Sequence, residues 1–180
     1  MTSRYIPNTR KAAEVVLWLC KAKGLIDIYH VVKCTFYADK YHVTRYGRPI
    51  SGDTYEAAEY GPLGRVVYGL LRRDPFEVMA LDNNGNVPFS VDEKRGWIVV
   101  ADREPNLRLL SDSDVEALTY ALREYGDKSF DELVALSHAE PAYIRAVGAT
   151  MRYADFIDGS DELSIARRQD LEEVAPNVVF

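Results

Sequence analysis

Three histidines, His30, His42 and His138, are the side chains of this 180-residue chain best suited to metal or acid–base chemistry. None stands in a metal-ligand spacing, because the sequence contains no His-Glu-x-x-His and no Cys-x-x-Cys. No metal and no cofactor is expected. Ser137, His138 and Glu140 are hydrolase residue types. Adjacent helical residues point about 100° apart, however, so this stretch alone cannot build a nucleophile–base hydrogen bond. Asn83-Asn84-Gly85-Asn86 has one glycine rather than the spaced glycines of a phosphate cradle, and reads as a turn.

Asp39 is the most informative single residue. It falls on the apolar stripe Ile28, Val32, Thr35, Phe36 and Val43 of a predicted helix. A carboxylate there costs several kcal/mol unless it is hydrogen-bonded or paired. Candidate partners are His42 one turn on, His138, and the backbone around Tyr60-Gly61-Pro62. A buried structural bond is the expected role. A small hydrolase using Asp39, His42 and His138 is the alternative, and it requires all three to converge in one solvent-reachable pocket.

The elements that position these residues follow from capping and periodicity. Thr9 is expected to cap a helix over 10–23 that stops at Gly24, and Asp27 a second helix running to about Arg45. Gly47, Pro49 and Gly52 end it, leaving 51–60 as a short polar segment of extended character. Pro62 suits the first turn of a third helix over 63–73, stopped by Asp74-Pro75. Phe76–Leu81 and Val87–Val91 read as strands around an Asn-Gly turn, with Trp97–Ala101 a third. Ser111 with Asp114 and Ser129 with Glu132 have capping-box spacing, which predicts helices over 112–125 and 130–138. Pro141 opens a short helix to about Gly148. The fold class is α+β and mainly α-helical: a compact single-domain helical bundle with a small antiparallel β-hairpin or sheet. Residues 1–150 form the domain, with a β-rich insert near 75–110, and 151–180 form a loosely docked acidic tail.

The longest uninterrupted apolar run, Val15–Cys20, is far short of the roughly 20 residues a membrane helix needs. The first residues lack a secretory pattern, so a cytoplasmic protein is expected, with Cys20 and Cys34 as buried free thiols. A net charge of -6 disfavours binding along a phosphate backbone. The charge is unevenly spread: residues 1–50 hold nine basic and three acidic side chains, leaving -12 for the remainder. A DNA-binding regulator stays open only if that basic third forms one continuous face, and no helix-turn-helix pattern is present.

Four segments then occur in order: Phe36-Tyr37-Ala38-Asp39-Lys40-Tyr41-His42, Tyr46-Gly47-Arg48-Pro49-Ile50, Tyr55-Glu56-Ala57 and Tyr60-Gly61-Pro62-Leu63. Together they resemble the Panacea domain, also called the SocA-like antitoxin domain. Leu136-Ser137-His138, followed by Pro141-Ala142-Tyr143, is similar to that family's second signature. The resemblance brackets about residues 8–148 and is weakest over 75–110. It implies an antitoxin that binds a cognate protein toxin and neutralises it by direct contact or by delivery to an ATP-dependent protease. It also fits a phage or mobile-element origin, with no membrane and no nucleic-acid partner. The motif residues Tyr37, Asp39, Gly47, Tyr60, Gly61, Pro62, Ser137 and His138 are expected to specify fold. Partner recognition then falls to variable surface: Phe76, Phe89 and Trp97 in the insert, and Asp155, Asp158, Asp161 and Glu162 in the tail.

Overall fold

The structure, a computed structural model, describes residues 5–175. The first four residues, on which part of the leader reading rests, and the last five of the acidic tail lie outside the described residues. The elements run α1 (Thr9–Lys23), α2 (Ile28–Tyr46), β1 (Tyr55–Ala58), β2 (Gly61–Gly64), α3 (Arg65–Leu71), α4 (Pro75–Leu81), β3 (Phe89–Asp92), β4 (Ile98–Ala101), α5 (Asp112–Tyr125), α6 (Phe130–His138), α7 (Pro141–Arg145) and α8 (Glu162–Val174). This is the mainly helical α+β architecture anticipated, with two small antiparallel sheets.

Helix α1 runs through the middle, with Val15, Val16, Leu17 and Leu19 fully buried. Its N-cap is Asn8, one residue before the predicted Thr9, with the Asn8 side chain accepting from Lys11 N. Asp27 caps α2 as expected, and α2 packs most extensively on α5. Both predicted capping boxes form, at Ser111–Asp114 and Ser129–Glu132.

Three expectations are corrected. Pro62 lies in strand β2 opposite Ala57, and the third helix starts only at Arg65. A proline fits there because β2 is an edge strand and Ala57 turns its own N–H away, donating it to Ala149 O. Phe76–Leu81 is helical, not a strand. The Asp74-Pro75 pair that reads as a breaker is a helix start, with Asp74 accepting from Phe76 N and Glu77 N and Pro75 at the first helical position. The hairpin of this region is β3–β4, in register Phe89↔Ala101, and it is stitched to the start of α2 by Ile28 N to Trp97 O (3.1 Å) and Val99 N to Ile26 O (2.8 Å).

The third correction concerns the tail, which does not begin as a loose segment at 151. Met151, Ala154, Phe156 and Ile157 are buried, and the Phe156 ring meets those of Phe36 at 5.2 Å and Tyr55 at 5.7 Å. Helix α8 follows and buries Leu171.

Candidate functional site

Asp39 is fully buried and its partners are not those anticipated. One oxygen accepts from Ile50 N at 2.7 Å and the other from Tyr55 Oη at 2.8 Å. Tyr153 Oη lies 3.4 Å away, but its single proton goes to Asp53 O at 2.6 Å. Asp53 in turn accepts from Thr54 N, Val66 N and Val67 N and so caps α3. Burial pushes Asp39 up to about 6 and Asp53 up to about 7 against these donors. The Asp39 carboxylate thus ties α2 to Ile50 and Tyr55, while Asp53 ties the same loop to α3 through its carboxylate and to Tyr153 through its backbone oxygen.

His42 belongs to a second buried network. Its Nδ1 meets Arg48 O at 2.7 Å, and its Nε2 meets Ser113 Oγ at 3.0 Å and Asp114 at 3.2 Å. Burial lowers its pKa against the pull of Arg48 O and Asp114. Asp114 also binds Lys11 at 2.7 Å. His138 stacks on Tyr143, with ring centroids 4.6 Å apart, and its buried Nε2 has no hydrogen-bond partner among the described residues. Asp39, His42 and His138 thus share no partner, and the convergence a hydrolase needs is not formed.

The two signature segments meet at Gly61. With φ at +99°, this residue occupies backbone space that favours glycine, and a Cβ there would fall on Ser137 Oγ and 2.8 Å from Lys33 Nζ. Tyr143 Oη donates to Ala58 O at 2.8 Å, fixing α7 beside the same hairpin.

Lys33 was not anticipated as a site residue. It is 2% exposed, and its Nζ donates to Pro62 O at 2.9 Å and sits 5.0 Å from the Tyr29 ring centroid. Burial alone brings its pKa down to about 7. The signal that singled out Asp39 applies equally here: an ionisable residue one turn from Tyr29 and from Tyr37 on a helix that is buried almost all round.

Lys33 lines a cleft of about 670 Å³ between the N-terminal half of α2, the β1–β2 hairpin, α3 and the β3–β4 turn. Its walls are aromatic: Tyr29 and Phe130 have centroids 4.4 Å apart, Tyr60 lies 5.7 Å from Phe130, and Trp97 closes the far side under the Arg72 guanidinium at 4.8 Å. Tyr60, Phe130 and Trp97 are each 41–53% exposed. Trp97 also has a φ of +63°, a strained conformation for a bulky residue.

A model of the family described as "Antitoxin SocA-like, Panacea domain" matches residues 31–143. The chain belongs to that family. Neither curated proteins nor solved structures gave a match. The Panacea region runs from within α2 to α7, so it contains Lys33, Gly61, Pro62, Ser137 and Tyr143, the residues that build the cleft floor and its support.

The residues expected to contact a partner are scattered around the Panacea fold. Phe89 is 1% exposed and belongs to the core, which corrects its assignment to a partner surface. Phe76 is 84% exposed on α4, whereas Trp97 lies in the cleft. Among the acids, Asp158 pairs with Lys40, Asp155 with Arg145, and Asp161 caps α8 by accepting from Ser164 N. Glu162 is exposed in the first turn of α8.

The charge split along the chain closes up in space. Lys11, Lys21, Lys23, Lys40, Arg45 and Arg48 all pair with carboxylates between residues 104 and 158. That pairing removes the continuous basic face a DNA-binding regulator needs. No helix among the described residues is long and apolar enough to cross a membrane.

Proposed function

We propose that this chain is an antitoxin that binds a cognate protein toxin and neutralises it by direct contact, acting as a binding protein rather than as an enzyme. The family match over 31–143 carries the reading. The geometry supports it through a surface where exposed aromatic rings gather, the cleft between α2 and the β1–β2 hairpin. Interface centres are enriched in such rings and in arginine, and Arg72 stacks here on Trp97. The reading places the chain in the cytoplasm beside its toxin.

Co-expression tests it. The reading frame next to this gene is induced with and without the chain, in hosts with and without the ATP-dependent proteases. Direct neutralisation predicts that growth is restored in both hosts and that the two proteins copurify. Restoration only where the protease is present assigns the chain an adaptor role instead. No restoration and no complex in either host overturns the antitoxin reading.

A further inference from the structure

We propose that the Lys33 cleft receives an apolar segment of a protein partner and that a carboxylate side chain of that segment pairs with Lys33 Nζ. The inference rests on the antitoxin reading for the biological partner, but the chemistry of the site is argued from the cleft itself.

An ammonium has three N–H donors. At Lys33 one goes to Pro62 O, and the Tyr29 ring face offers a further weak attraction. No carboxylate meets Nζ among the described residues. The other charged groups of the cleft wall are committed or remote in role: Asp27 pairs with His30 at 2.7 Å, Arg72 stacks on Trp97, and Glu59 is exposed at the rim. Six of the basic residues in the first 50 find acidic partners within the chain, so a buried lysine left without one stands apart. Burying a cation with one acceptor is costly, and the single bond to Pro62 O leaves most of that cost unmet within the chain. The compensation can come from outside: a carboxylate entering the aromatic cleft would complete the ion pair in a site already shielded from water, where charge-assisted hydrogen bonds are strongest.

The surroundings fit such a segment. Tyr29, Tyr60, Phe130 and Trp97 give apolar walls on either side of Lys33, and Gly61 lets the hairpin pass close to Nζ where a Cβ would collide with Ser137 and Nζ. Trp97 is held in the cleft by a backbone conformation that costs energy, and strain of that kind gathers at binding sites. Because free Lys33 sits near neutrality, it must take up a proton to pair with the carboxylate above about pH 7, so affinity falls as the pH rises.

The test pans a displayed random-peptide library on the full chain and measures the enriched peptides by fluorescence polarisation. Enriched peptides are expected to carry Asp or Glu among aromatic or aliphatic residues. Replacing that acid by its amide, or Lys33→Met in the protein, should each weaken binding about tenfold or more, and the two changes together should add little. If Lys33→Met fails to fold, Trp97→Gly, which relieves the strained φ while removing a wall, serves in its place and should weaken the same peptides. Enriched peptides without an acid, or affinity unchanged by Lys33→Met, would overturn the proposal. So would a dimer of the chain that Lys33→Met dissolves, since the cleft would then belong to a second copy. These outcomes do not depend on the toxin, so the cleft can fail while neutralisation stands, and the reverse.

Discussion

Lys33 Nζ donates to Pro62 O at 2.9 Å, and this bond ties the buried face of α2 to the glycine-proline hairpin of the family signature. It also explains the neighbouring glycine. Lys33, Gly61 and Ser137 occupy one crowded point, and the hairpin can pass between the two side chains only without a Cβ.

Gly61→Ala should therefore destabilise the fold more than Gly47→Ala. Both positions have positive φ and carry the backbone penalty of about 1–2 kcal/mol, but a Cβ at Gly47 meets open space. Denaturant midpoints of the two variants check this ordering.

Asp39→Ala should lower the melting temperature, at about 1–3 kcal/mol for each donor left unpaired. Ile50 N and Tyr55 Oη are those donors, and both are buried with the carboxylate. Retained stability with lost neutralisation would show instead that Asp39 acts on the partner.

The same residue makes a pH prediction with a definite sign. Burial raises Asp39 to about 6 in the fold, so its protonated form stabilises the native state below its unfolded pKa of about 4. That contribution is lost as the pH rises through the folded pKa. Relative to Asp39→Asn, which cannot titrate, the wild type should lose at most about 1.4 kcal/mol per pH unit between about pH 4 and 6, then level off. Paired urea titrations across that range measure the slope.

Truncation separates two parts of the C-terminal region. Ending the chain after Gly148 removes Met151, Tyr153, Phe156 and Ile157 and should abolish cooperative unfolding. Ending it after Gly159 removes only α8, whose buried contribution is chiefly Leu171, and should leave a folded protein of lower melting temperature. Circular dichroism melts of both chains decide the matter.

The helices were legible where a cap and a periodic face agree, as at Asp27, Ser111 and Ser129. The errors share a cause. Asp74-Pro75 and Pro62 are local signals with two meanings, and tertiary context selected the one not read: Asp74 has free helix N–H groups to cap, and Pro62 sits on an edge strand. The tail was misread because its seven acids against three arginines suggest a solvated segment, although Met151, Ala154, Phe156 and Ile157 are buried. For the site, the signature segments were visible as motifs, but their convergence on Lys33 depends on contacts across a separation of about a hundred residues, which spacing does not encode.

Hydrogen exchange on the full chain, alone and in complex with the protein it is proposed to neutralise, tests the central claim that the partner is held in the Lys33 cleft. The account predicts protection gathered at residues 28–33, 58–64, 96–98 and 130, with little change over α4 and α8. Protection confined to α4 or α8, with the cleft segments exchanging as in the free chain, would contradict it.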